Sequence, residues 1–270
     1  KTSMEAAGAK IILFPMEFKN GRIDFSRLED YITPRTKVFG LCNPHNPLGM
    51  CYPLEDLDHI LKLSEKYGFY IMNDEIWSDI IYSDAQFHSI LELGAERNAR
   101  TLSVFGFSKS YGIAGLRVGC LYGTDQKLFD RAVDASQVGS TIGGISSLSQ
   151  IAGIACLDQC GYWLDAFLKH LQGNRDYALE RISRMPGISC RKPDATFVLF
   201  ADISGLPVSA LEFTEFARKN FRVAVVPGGE TFFGPGSEGY IRICLATSRE
   251  VLEEGLNRLE EALKAMEKDR

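Results

Sequence analysis

Short apolar runs alternate with a helix-period segment through the first half of this chain, and that alternation constrains its fold more than any other feature. Runs at 38–42, 69–72, 101–107 and 117–122, with an earlier one at 11–16, have the length of strands. Between the first two of these, residues 54–67 place Leu54, Leu57, Ile60 and Leu61 at helical spacing. The helix opens after Pro53 and stops at Tyr67-Gly68, where a glycine adopts the left-handed conformation that ends helices. Strand, helix, strand in succession is the mark of an α/β fold with a mainly parallel, doubly wound sheet. Ligands of such sheets sit at the carboxyl ends of the strands. Asn46, Asp74 and the pair Ser108-Lys109 all fall at such ends.

The second half has a different character. A long helical stretch at 146–185 is expected to break near Gly161 and Gly173, and Pro186-Gly187 opens a smaller α/β unit. Its strands are expected at 197–201 and 240–245, followed by a charged helix from Ser248. The resulting domain reading is a large domain over 1–160 and a small C-terminal domain over 161–270.

Charge and composition narrow the partners. A net charge of −5 with no basic block leaves no electrostatic footprint for nucleic acid or anionic lipid, so a small molecule is the expected ligand. The longest apolar runs, such as 11–14 and 223–226, fall far short of the roughly 18 residues of a membrane span. The start, Lys1 to Gly8, lacks the apolar core of a signal peptide and reads as the end of a helix in progress. Seven scattered cysteines, an odd number, are expected to be reduced and mostly buried, in a cytoplasmic protein. Cys156 and Cys160 lie one helical turn apart with no further ligand at metal spacing, so core packing is expected there.

Three segments carry chemistry: Asn43-Pro44-His45-Asn46-Pro47-Leu48-Gly49, Asn73-Asp74-Glu75-Ile76-Trp77, and Ser108-Lys109 with Gly115-Leu116-Arg117-Val118-Gly119 after it. A fourth, Gly239-Tyr240-Ile241-Arg242-Ile243-Cys244-Leu245-Ala246, lies near the C-terminus. In this order they resemble the fold-type I, pyridoxal 5′-phosphate (PLP)-dependent enzymes of the aminotransferase class I/II family, from about residue 4 onward. The resemblance implies that Lys109 is the Schiff-base lysine, since the cofactor aldehyde needs an amine that loses its proton readily. It implies that Asp74 keeps the cofactor's ring nitrogen protonated, because a nearby carboxylate raises that nitrogen's pKa. Ser108 and Arg117 match the residues that hold the cofactor phosphate, a charge-assisted contact. Asn46 matches the asparagine that bonds the cofactor's 3′-oxygen and reaches the substrate carboxylate, and Arg242 the arginine that takes that carboxylate in a fork. Trp77 stands where most relatives have a tyrosine bonded to the 3′-oxygen; its indole can donate a hydrogen bond but cannot ionise. Gly106 stands where many relatives have a further phosphate-binding serine. The segments at 195–200 and 227–236 resemble those that border the substrate side chain.

Taken alone, each residue has a plainer reading. Asp74 would cap the segment beginning at Glu75, Lys109 and Arg242 would be exposed, and the Asn-Pro string would be a tight turn. The family order favours transamination between an α-amino acid and a 2-oxo acid, with Lys109 as general acid and base. The alternative is a cystathionine β-lyase-like C–S β-lyase, since the first two segments also resemble that branch. A non-catalytic ligand-binding module is the third reading. The resemblance also implies a homodimer. Residues 1–50 match the part of the large domain just before the Asn-Pro segment, so that domain is expected to lack its N-terminal portion, with the phosphate-binding glycine loop and the ring that stacks on PLP. Exposed sheet edge and apolar surface should follow.

Overall fold

The computed structural model describes residues 2–139 and 144–268. A short helix, α1 (Thr2–Ala6), precedes a hairpin of β1 (Phe18–Lys19) and β2 (Arg22–Ile23). Next come β3 (Val38–Cys42), α2 (Leu54–Tyr67), β4 (Tyr70–Asp74), β5 (Thr101–Gly106), α3 (Phe107–Ser110), β6 (Gly119–Gly123) and α4 (Gln126–Ser136). Helices α5 (Ser147–Gln159) and α6 (Gly161–Ile182) lead to β7 (Ser189–Cys190), β8 (Val198–Asp202), α7 (Ala210–Phe221), β9 (Val226–Pro227), β10 (Tyr240–Cys244) and α8 (Arg249–Lys268).

The first sheet has the order β3-β4-β5-β6, with β3, β4 and β5 parallel and β6 antiparallel to β5. Helix α2 makes the crossover from β3 to β4, buries Leu57, Ile60, Leu61 and Leu63, and ends at Gly68 with φ 74°. Side chains alternate along a strand, so each strand offers one set of residues to α2 and the other to the opposite face. Leu41 and Ile71 are buried with the α2 residues in one core. The opposite face carries Val38, Met72 and Leu121, each at least 38% exposed, and ends at Asp74. The expected exposed apolar sheet surface is therefore present.

The second sheet, β7-β8-β10-β9, is antiparallel throughout. Helix α8 covers it with Leu252, Leu256, Leu259 and Leu263, spaced to form one apolar stripe. Trp77, Ile80 and Tyr82, which follow β4, lie in this same second core. Backbone bonds from Thr196 N to Ile80 O (2.8 Å) and Tyr82 N to Asp194 O (3.0 Å) tie the two sheets' segments together.

Several expectations need correction. Residues 11–16 form no strand: no described strand pairs with them, Pro15 lacks an N–H, and Ile12 and Leu13 are 52% and 53% exposed. The helical stretch breaks at Cys160, not at Gly173, which sits inside α6; a Cβ there would lie 3.4 Å from the Arg249 guanidinium. The last strand of the first sheet starts at Gly119, because Arg117 is left-handed with φ 53°. All seven cysteines are free, but only Cys156 is buried, and Cys120 of β6 and Cys244 of β10 are exposed. Among the described residues there is no cluster of three or more metal-ligating side chains and no helix long and apolar enough to cross a membrane.

One buried cation joins α6 to the linking segments. Arg175, 1% exposed, donates to both oxygens of Asp84 at 2.8 and 2.9 Å and to Pro193 O at 3.2 Å. Arg175 and Lys192 hold the Asp84 carboxyl well below the usual carboxylate range. Asp84→Ala should cost about 2 kcal/mol at neutral pH, the lower part of the range for a charged hydrogen-bonded pair because solvent reaches Asp84. A carboxyl lowered on folding stabilises above its unfolded pKa of about 4, and that stabilisation fades as pH falls toward the folded value. Urea unfolding of both proteins at pH 7 and pH 3 should show the gap between them narrowing in acid.

Candidate active site

The loop after β3 is anchored from both sides. Asn43, fully buried, donates to His88 O (2.8 Å) and accepts from Tyr52 N (3.1 Å). Both the Asn43-Pro44 and Asn46-Pro47 bonds are cis. Gly49 has φ 66°, and a Cβ there would lie 2.4 Å from Pro193 Cβ and 2.8 Å from Ala195 O. Only glycine allows that approach, in which Asp194 N and Ala195 N both donate to Gly49 O at 2.7 and 2.9 Å. The loop thus docks on the strand-lead segment of the second sheet. Its Asn46 Oδ1 accepts from Arg242 Nη1 of β10 at 3.4 Å, a long contact that brings these two predicted residues together.

Asp74 ends β4, with Cys42 of β3 and Val104 of β5 as its register partners. Its Oδ1 accepts from Ile76 N at 3.0 Å, leading into a turn at 76–79; no helix begins at Glu75, so Asp74 is not the helix cap of the plainer reading. Burial, and then the neighbouring Asp74 charge, pushes the Cys42 thiol up to about 11. Glu75, 3% exposed, points the other way: Oε1 accepts from Asn73 Nδ2 (2.8 Å) and Ser89 Oγ (2.5 Å), and Oε2 accepts from the Tyr122 hydroxyl of β6. Asn73 also donates to Ser103 of β5 at 2.9 Å, so the network spans three strands behind Asp74.

Trp77 is 5% exposed and packs edge-on against Phe197, with ring centroids 4.6 Å apart. Lys109 sits in α3, directly after β5, and its Nζ lies 5.1 Å from the Trp77 ring centroid. The next residue, Ser110, is fully buried and donates to Asp79 Oδ2 at 2.7 Å, which fixes the turn that carries Ser108 and Lys109. Arg117 caps a short turn at 114–116; it is exposed, and its side chain has no hydrogen bond or ion pair among the described residues. Ser149 of α5 donates to Leu116 O at 2.6 Å and so holds the Arg117 loop.

The predicted residues therefore form two contacting pairs, Asn46 with Arg242 and Lys109 with Trp77. Asp74 and Ser108 stand at neighbouring strand ends, and Arg117 stands apart from direct contact with the rest. Sequence reasoning missed Glu75, Ser110, Asp79 and Ser149. Each is a polar residue in a segment whose pattern gives no sign of burial.

The family model described as "Aminotransferase class I and II" matches residues 1–259. The chain belongs to that family. It is 32% identical over 262 residues to an aspartate aminotransferase of Pyrococcus horikoshii, covering 96% of this chain and 65% of that protein. It is 30% identical over 264 residues to the cystathionine beta-lyase PatB of Bacillus subtilis, covering 96% of this chain and 67% of PatB. The crystal structure of a PLP-bound protein from Clostridium difficile 630 superposes with a TM-score of 0.88 at 31% identity, covering 97% of this chain and 68% of that one. This family member therefore spans just under two thirds of the length of its Pyrococcus relative.

Glu75→Ala should destabilise the protein by about 3 kcal/mol, because Ser89 and Tyr122, both half-buried, would lose this acceptor and buried Asn73 would keep only Ser103. Chemical denaturation monitored by tryptophan fluorescence measures that loss, and Glu75→Gln should recover part of it.

Proposed function

We propose that this chain binds PLP at the carboxyl ends of β3, β4 and β5 and serves as an aminotransferase, moving an amino group from an α-amino acid to a 2-oxo acid. The observation that carries the reading is the placement of an amine, a carboxylate and a guanidinium around adjacent strand ends, with neither cation paired to a carboxylate. Lys109 faces an aromatic ring, Arg117 has no partner among the described residues, and Asp74 uses one oxygen locally. That donor set fits PLP group by group, and the PLP-bound relative shares the fold.

When bound, PLP supplies an aldehyde for an amine and a ring that takes up the electron pair released at the substrate Cα. Asp74 would accept a hydrogen bond from the ring N–H and hold that proton in place. Ser108 and Arg117 would hold the phosphate, the guanidinium in a two-pronged contact. Lys109 Nζ, once released from the cofactor, would take the proton from Cα and return it at C4′. Arg242 and Asn46 would grip the substrate α-carboxylate, and Asn46 would also reach the cofactor's 3′-oxygen. Trp77, against which the Lys109 amine rests, would border the ring without supplying an ionisable group.

A C–S β-lyase is the second reading, supported by the similarity to PatB. The same residues would bind the cofactor, so products separate the two. Nitrogen transfer to 2-oxoglutarate supports the transaminase, and ammonia with pyruvate from cystathionine supports the lyase. The reading carries with it a cytoplasmic homodimer, for which light scattering should give twice the 30.0 kDa chain mass.

Added PLP should give the purified chain an absorption band near the visible edge that Lys109→Ala lacks; no band, or an equal band in the variant, contradicts the proposal. Gly106 has φ −155°, which any residue adopts, and a Cβ there would meet nothing closer than Val118 O at 3.9 Å. Gly106→Ser should therefore fold normally and retain PLP more tightly through dialysis, by about threefold to tenfold for one added hydrogen bond to a charged group.

A further inference from the structure

The face of the second sheet turned away from its helices is aromatic next to Arg242. Phe200 is the register partner of Arg242 across β8 and β10, and its ring stacks on Tyr240 at 4.8 Å with an interplanar angle of 7°. Phe233 meets Phe200 edge-on at 5.2 Å, and the Arg242 guanidinium carbon lies 5.0 Å from the Phe233 ring centroid. One ring thus touches the guanidinium and also walls a cavity of about 590 Å³. Leu13, Phe14, Phe18, Pro47 and Leu48 close the cavity's other sides.

The lining of this cavity carries little charge. Its lining holds no lysine or arginine, and Glu17 is its one acidic residue. Burial pulls His45, which also lines it, down to about 4, so the imidazole is neutral at physiological pH. A ligand's second carboxylate would enter an apolar space beside Glu17 where the lining itself supplies no cation, an arrangement that costs free energy. Arg191, which lines the adjoining pocket, is engaged by the Phe18 ring at 5.3 Å and by Gly21 O. An aromatic or aliphatic side chain would instead bury apolar surface against three rings.

We propose that the amino acid this site accepts carries an aromatic or large apolar side chain, placed on Phe233, Phe200 and Tyr240, and that acidic side chains are disfavoured. The inference rests on the reading of Arg242 and Asn46 as the holders of the α-carboxylate. Phe233 is the specificity-determining residue, because it is the ring that adjoins the guanidinium.

The test needs no cofactor. Isothermal titration of the PLP-free chain with 3-phenylpropionate and with succinate should show the first binding about tenfold more tightly, as burial of one ring predicts. Phe233→Ala, with Phe200→Leu as a second variant, should each remove most of that preference while melting temperature and circular dichroism stay near those of the parent. Arg242→Met should weaken 3-phenylpropionate at least tenfold. Succinate binding as tightly as 3-phenylpropionate, a preference that survives both aromatic variants, or unchanged binding in Arg242→Met would overturn the proposal. Because these ligands bind without PLP, a missing absorption band on the same samples would count against the cofactor reading alone.

Discussion

The parallel pairing of β3, β4 and β5 is the constraint on which the site depends. Register places Cys42, Asp74 and Val104 side by side, so the chain leaves three neighbouring strands at one end of the sheet. The loop with Asn46 and the turn with Ser108 and Lys109 begin there because the strands do. Register is held by the face that α2 covers, where Leu41 and Ile71 pack with Leu57, Ile60 and Leu61. A slip of one residue would turn those side chains out and carry Asp74 to the wrong face.

Behind the strand ends, a second set of residues removes freedom from the first. Glu75 gathers donors from Asn73, Ser89 and Tyr122, so the backbone next to Asp74 is tied to β4, β6 and the 89–92 turn at once. Ser110 does the same for Lys109 through Asp79, and Ser149 for Arg117 through Leu116 O. Such supporting bonds are what hold a reactive constellation to tolerance. The second sheet enters through Gly49, whose close approach to residues 193–195 brings Asn46 to Arg242 across a sequence separation of 196.

Much of this was legible in the chain. Leu54 to Tyr67, framed by Pro53 and Gly68, announces its helix by period and by both ends, and the first sheet's strands follow from apolar runs of strand length. The four motifs, in their order, resemble the family to which the chain belongs, and three of them fall at the strand ends and tight loops of the first sheet. What escaped was whatever depends on a distant partner. Residues 11–16 have the composition of a strand, yet pairing is a property of neighbours, and none of the described strands pairs with them. Gly173 looks like a break, but inside α6 its small size serves the approach of Arg249. Glu75 beside Asp74 reads as a charged turn; only the fold shows that one carboxylate faces the strand ends and the other the interior.

The central claim is that Lys109, among all the lysines of this chain, is the one set up to bond covalently to the cofactor. Borohydride reduction of the chain in the presence of PLP, followed by digestion and mass spectrometry, tests that directly. The account predicts a phosphopyridoxyl group on the peptide containing Lys109 at near-stoichiometric yield, with other lysines modified only in trace amounts. Modification spread over the surface lysines with Lys109 unmodified would contradict it.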